Sequence, residues 1–212
     1  IYCSPLCPPE QMPIGTVLEP VLKSRDWNLG ESAVLTVNHD GRLIMNSRNM
    51  LTLDMDHGDR RYDKWAVHGT QQIVHYFHDL AALDEERRRG QVVIEGIEPE
   101  PLPFLWAEQT WKFYRTGNGT RVICTSMPFT LGSSENAHEF IKLCRFLGVD
   151  PIYAEKCREQ QCFRARLTPK WNADVPVCQH VLTLWEDRPA HAELATQLEL
   201  HDAVTGFCQT VQ

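Results

Sequence analysis

The sequence predicts an α+β fold: a mixed, ferredoxin-like sheet with helices on one face, a hairpin extending it on the N-terminal side and a helical tail at the C-terminal end. Two short β-rich pairs flank turn residues, Asp40-Gly41 and Gly117-Asn118-Gly119. The segment 134–147 repeats apolar residues at helical spacing between a capping serine and a glycine. The order strand, helix, hairpin, helix, strand is the β-α-β-β-α-β arrangement, which leaves one sheet face open.

Residues 1–16 hold Cys3, Cys7 and four prolines, and read as a proline-rich arm without regular structure; residues 17–212 read as a single domain. AVLTVN (33–38) and RLIMNS (42–47) form the first hairpin, and LTLDMD (51–56) the next strand. From Asp63 to Arg89, Trp65, Val67, Ile73, Val74, Phe77, Leu80, Ala81 and Leu83 recur mostly at helical spacing, an amphipathic helix. QVVIEGI (91–97) reads as a short strand, stopped by PEPLP. WKFYRTGNGTRVICTS (111–126) is the second hairpin, and SENAHEFIKLCRFLG a helix ended by Gly148. Asp150-Pro151 opens a further helical stretch, and CFRARLT (162–168) alternates as a strand. In the tail, VLTLWED is strand-like and AHAELATQLELHDAVTGF helical.

With 42% hydrophobic residues the chain can bury a sizeable core, and its net charge of −7 argues against coating nucleic acid by bulk electrostatics. No apolar run reaches membrane-span length, and IYCSPLCPPEQMP lacks a basic region followed by an apolar one. The expectation is a soluble, cytoplasmic protein with reduced thiols and no membrane partner, although the absent initial Met leaves a removed leader open.

The acidic end of LTLDMD raises the functional question. Alternation puts Asp54 and Asp56 on one strand face, with Cα atoms about 6.8 Å apart, close enough for both carboxylates to hold a Mg²⁺ or Mn²⁺ ion. Without a cation, two like charges on one face call for a basic partner. A solvated turn with Gly58 as its pivot is the other reading.

An apolar strand ending in Asp-x-Asp, then a helix, then a hairpin with Thr-Gly-x-Gly resembles the catalytic core of the archaeo-eukaryotic primase and primase-polymerase superfamily. LTLDMD resembles its first motif and YRTGNGTRVIC its second, over about half the chain. The resemblance implies an RRM-like half, metal held by Asp54 and Asp56, and a third catalytic acid, for which Asp187 is the best candidate. Arg121 stands where the family has a nucleotide-binding His. The implied activity is metal-dependent nucleotidyl transfer or its degenerate, nucleotide-binding form.

Arg115, Thr116, Gly117, Gly119 and Arg121 would offer phosphate a turn of backbone donors between two guanidinium groups. Arg164, Arg166 and, just beyond, Lys170 add a basic strip; it pairs with carboxylates across strands if it has no phosphate to bind. Phe113 or Tyr114 and Phe163 could stack bases on the open face, so a non-catalytic module for single-stranded nucleic acid or for protein is the alternative. A protein-binding acidic surface is a third reading. Cys3, Cys7, Cys157 and Cys162 could together hold a structural zinc. His57 and His68 are further conceivable ligands, with His75 and His78 nearby on the first helix. His201-Asp202 could act as a general-base pair, but the sequence places no nucleophile beside it.

Overall fold

The computed structural model describes residues 2–3, 21–24, 27–38, 42–56, 82, 106, 109–116, 119–168, 178–184 and 189–210. Apart from Ala82, the helix expected over 63–89 lies outside them, as do the strand over 91–97 and His57, His68, His75 and His78.

β2 (Ala33–Val37) and β3 (Leu43–Ser47) pair antiparallel, from Ala33↔Ser47 to Val37↔Leu43. Asn38 closes the hairpin. Its N–H donates to the Arg42 carbonyl at 3.0 Å, and its side-chain oxygen accepts from the Arg42 N–H at 2.9 Å. β1 (Tyr2–Cys3) joins β2 in parallel, Tyr2 opposite Thr36, so the arm does contribute a short strand. Both residues precede Pro5, the first proline, and so keep the N–H groups that pairing needs.

β4 (Thr52–Asp56), β5 (Trp111–Thr116) and β6 (Gly119–Cys124) form as the pattern predicts, and the tail forms β8 (Cys178–Leu184) and a helix. β7 (Phe163–Arg166) pairs with β3 rather than β4, Ile44 opposite Arg166 and Ser47 opposite Phe163. The strands accordingly make two four-stranded sheets, β1-β2-β3-β7 and β4-β6-β5-β8, where the sequence predicted one. Between β3 and β4, Ser47 Oγ accepts the N–H groups of Asn49 at 3.2 Å and Met50 at 2.8 Å. β4 and β7 still run close. The Tyr153 hydroxyl donates to the Thr52 carbonyl at 2.6 Å and lies 3.4 Å from that of Arg164, so a side chain bridges the seam where ladder bonds are missing.

α1 (Ser134–Leu147) starts at Ser133, whose hydroxyl accepts from Asn136 N–H at 3.1 Å, and ends at Gly148, whose φ of 69° suits glycine. α2 (Pro151–Gln160) is capped by Asp150, which accepts from Ile152 N–H at 2.9 Å. α3 is Ala192–Thr210. Among the described residues, no helix is long and apolar enough to cross a membrane.

The helices do not lie on one face. Phe140, Leu143 and Leu147 of α1, with Ala154 and Cys157 of α2, pack against Leu53, Met55, Trp111, Phe113, Val122 and Cys124. Each such large apolar side chain contributes roughly 1.5–3 kcal/mol by leaving water. On the opposite side, Leu194, Leu198, Leu200 and Val204 of α3 pack with Tyr114 and Ile123 and with Leu35, Val37, Met45 and Ala165 of the other sheet. The face expected to be open is therefore covered. Every residue of β6 is buried, as in a strand enclosed on both sides. Phe113, Tyr114 and Phe163 are each buried to within 1% of full enclosure, which removes them as a base-stacking platform.

Candidate functional site

The β4–β6 ladder places the two sequence motifs side by side. Asp54 stands opposite Arg121, Met55 opposite Thr120 and Asp56 opposite Gly119, so the acidic strand end lies beside the first residue of β6. Gly117 lies outside the described residues, as do Asp187, Lys170 and Cys7.

Arg121 is the centre of the geometry. Its Nε donates to Asp54 Oδ1 at 2.7 Å and its Nη2 to Asp54 Oδ2 at 2.9 Å, a two-pronged grip on one carboxylate. Its Nη1 donates to the Arg166 carbonyl at 2.8 Å, across the seam to β7. The Arg121 side chain is 3% exposed and that of Asp54 33%. Burial by itself works against the guanidinium charge, but the adjacent Asp54 carboxylate outweighs it and holds the group above its ordinary range. The sequence paired the β4 acids with Arg164 and Arg166. The register instead gives Asp54 to Arg121, because β7 has moved to the other sheet. A signal was present: Asp54 stands between Leu53 and Met55 and Arg121 just before Val122 and Ile123, and buried charges need one another.

Beyond Arg121 lies a chain of polar groups that reaches α3. Arg121 Nη1 is 3.4 Å from His201 Nε2, and His201 Nδ1 is 3.0 Å from Asp202 Oδ1. The same carboxylate accepts from the Tyr114 hydroxyl at 2.7 Å and from Lys112 Nζ at 2.9 Å. Lys112 and Tyr114 are two positions apart on β5, the spacing at which strand side chains share a face. With Nη1 donating on one side and a carboxylate accepting on the other, the consistent tautomer carries its proton on Nδ1. Burial, assisted by the Arg121 charge, pushes the His201 pKa down against the pull of Asp202. Burial would raise that of Asp202, but its bonds from His201, Tyr114 and Lys112 prevail and hold it well below the usual carboxylate range.

The structure brings a thiol to the His201-Asp202 pair: Cys178 Sγ lies 3.9 Å from His201 Nε2. This is no exposed nucleophile. Cys178 is 1% exposed and its thiol is pushed up to about 12, chiefly by burial.

The remaining candidates separate. Arg115 and Thr116 close β5 half-buried, facing Gln179 and Cys178 of β8. Arg164 and Arg166 are half-buried on β7, alternating with the buried Phe163 and Ala165. Cys157 is fully enclosed in the core that α1 and α2 build, whereas Cys162 is partly exposed. Among the described residues, no three His, Cys, Asp or Glu side chains are grouped to hold a metal ion. No family model, curated protein or solved structure matches the chain.

Proposed function

We propose that the chain is a metal-dependent, nucleotide-handling protein of primase-polymerase-like type, with its site at the shared end of β4 and β6. One observation carries this reading: Asp54 and Arg121, 67 residues apart in sequence, are directly opposite one another, and two positions on Asp56 meets Gly119. In this reading, acids for a cation and backbone donors for phosphate share one strand end.

The donor chemistry fits a hard divalent cation. An ionised carboxylate has about four lone-pair sites, so the two bonds from Arg121 leave Asp54 able to accept more. Its exposure to water gives a cation access. Asp54 and Asp56 would hold Mg²⁺ or Mn²⁺, with Asp187 as the proposed third acid. The cation would supply charge neutralisation and polarisation of phosphoryl oxygens. Arg121 fixes the orientation of the Asp54 carboxylate. Arg115, Thr116, Gly117 and Gly119, with Arg164, Arg166 and Lys170 further out, are the proposed phosphate contacts.

Calorimetric titration of ATP into metal-stripped protein, with and without Mn²⁺, tests the reading. Asp56→Asn is the variant of choice because Asp54 also neutralises a buried arginine. Mn²⁺-dependent binding that Asp56→Asn abolishes is the expected result; binding indifferent to metal and to the variant would sink the proposal.

A further inference from the structure

His201 is the most enclosed titratable group of the polar chain, fully buried on α3 between a guanidinium and a carboxylate. Its charged and titratable surroundings come from every element packed around it. Arg121 comes from β6, with Asp54 of β4 behind it. Tyr114 of β5 lies edge-on to the imidazole with ring centroids 4.8 Å apart, and Lys112 reaches the shared Asp202. Cys178 approaches from β8, His180 lies edge-on to Tyr114 with ring centroids 5.5 Å apart, and β7 contributes the Arg166 carbonyl. Tyr153 of α2 belongs to the same electrostatic neighbourhood through Arg121 and Asp54.

The geometry works only with a neutral ring. The Nε2 lone pair faces the Arg121 Nη1 at 3.4 Å, and a proton there would set two donors and two positive charges against each other without water between them. Asp202 cannot absorb the second charge freely, because it already neutralises Lys112 and accepts from Tyr114. Relief requires one partner to leave. Arg121 is held within the sheets by Asp54 and by the Arg166 carbonyl, so the strain falls on α3, which carries both His201 and Asp202 and is tied to β5 through the bonds of Asp202 to Lys112 and Tyr114.

We propose that His201 is a proton-operated latch on α3: neutral, it joins the helix to the Asp54–Arg121 pair, and protonated, it drives the helix away from β5 and β6. The latch stands without the cation reading, since it uses only the protein's own charges. Departure of α3 would uncover the sheet face that carries Tyr114, Arg121 and Ile123.

Hydrogen exchange measured by mass spectrometry on peptides from α3 and α1, corrected for intrinsic rates, provides the test. An unfolded-like histidine gains its proton near its ordinary value, so lowering the pH from about 7.5 to about 5.5 should cost α3 up to roughly tenfold in protection. Peptides of α1 should not follow, and His201→Gln, which bonds without titrating, should abolish the α3 response. Unchanged α3 protection in the natural protein, equal loosening of α1, or the same response in His201→Gln would each overturn the latch. If His201→Gln does not fold, NMR titration of the natural protein's imidazoles decides: titration below the ordinary histidine range supports the latch, and titration at or above it refutes it.

Discussion

Removing the charge of Asp54 should destabilise the protein far more than removing an ordinary surface carboxylate. Arg121 keeps 3% of its side-chain surface, and both Asp54 oxygens receive its N–H groups at 2.7 and 2.9 Å. Breaking a buried pair from one side costs about 3–5 kcal/mol, because the remaining charge stays out of water. Asp54 is a third exposed, so solvent can reach the vacated position, and the lower end, about 3 kcal/mol for Asp54→Asn, is expected. Urea denaturation followed by circular dichroism would measure this in a double-mutant cycle with Arg121→Met. A coupling energy of about 2 kcal/mol or more is expected, with the double variant more stable than Asp54→Asn alone, since it leaves no orphaned guanidinium. A coupling of about 0.5 kcal/mol or less, as for exposed pairs, would refute the claim that the pair is structurally buried.

Tyr153→Phe removes the hydroxyl between the Thr52 and Arg164 carbonyls, and should cost about 1–3 kcal/mol in the same assay without disturbing α2. Stability should fall on acidification in two stages. The His201 contribution, present above its ordinary value of about 6.5, diminishes below it because the unfolded chain takes up the proton first. The Asp202 contribution, present above the usual carboxylate range, is lost as the pH falls through and below that range. Equilibrium unfolding as a function of pH checks both stages; stability flat between about pH 7.5 and 5 would contradict the first. Of Cys124, Cys144, Cys157, Cys162 and Cys178, the partly exposed Cys162 should react first with a thiol reagent in the native state. Cys124, Cys144, Cys157 and Cys178 are buried, with thiols pushed up by that burial, and mass spectrometry of the labelled peptides would expose any other order.

Local elements were legible in the sequence because local chemistry makes them. Asn38 and Arg42 close the first hairpin where Asp40-Gly41 predicts a turn. Ser133 and Gly148 bound α1 as capping residues should. The β4–β6 pairing was not read from the sequence, which set the acidic strand beside the Arg164–Arg166 strand; only the register fixes Asp54 on Arg121. The covered sheet face was not legible. It depends on α3 packing against Tyr114 and Ile123, a contact between segments far apart in the chain, and the pattern of α3 alone does not say which face it covers. The burial of Arg121 follows from the same packing. So does the placement of Cys178 beside the His201-Asp202 pair, which the sequence left without a neighbour.

The central claim is that the end of β4 is a cation site. The most direct measurement is Mn²⁺ titration followed by the electron paramagnetic resonance signal of the free ion, in the natural protein and in Asp56→Asn. The account predicts saturable loss of the free-ion signal in the natural protein and little loss in the variant, with circular dichroism unchanged between them. Equal, weak and non-saturable binding by both would contradict it and leave the Asp54–Arg121 pair as a structural ion pair alone.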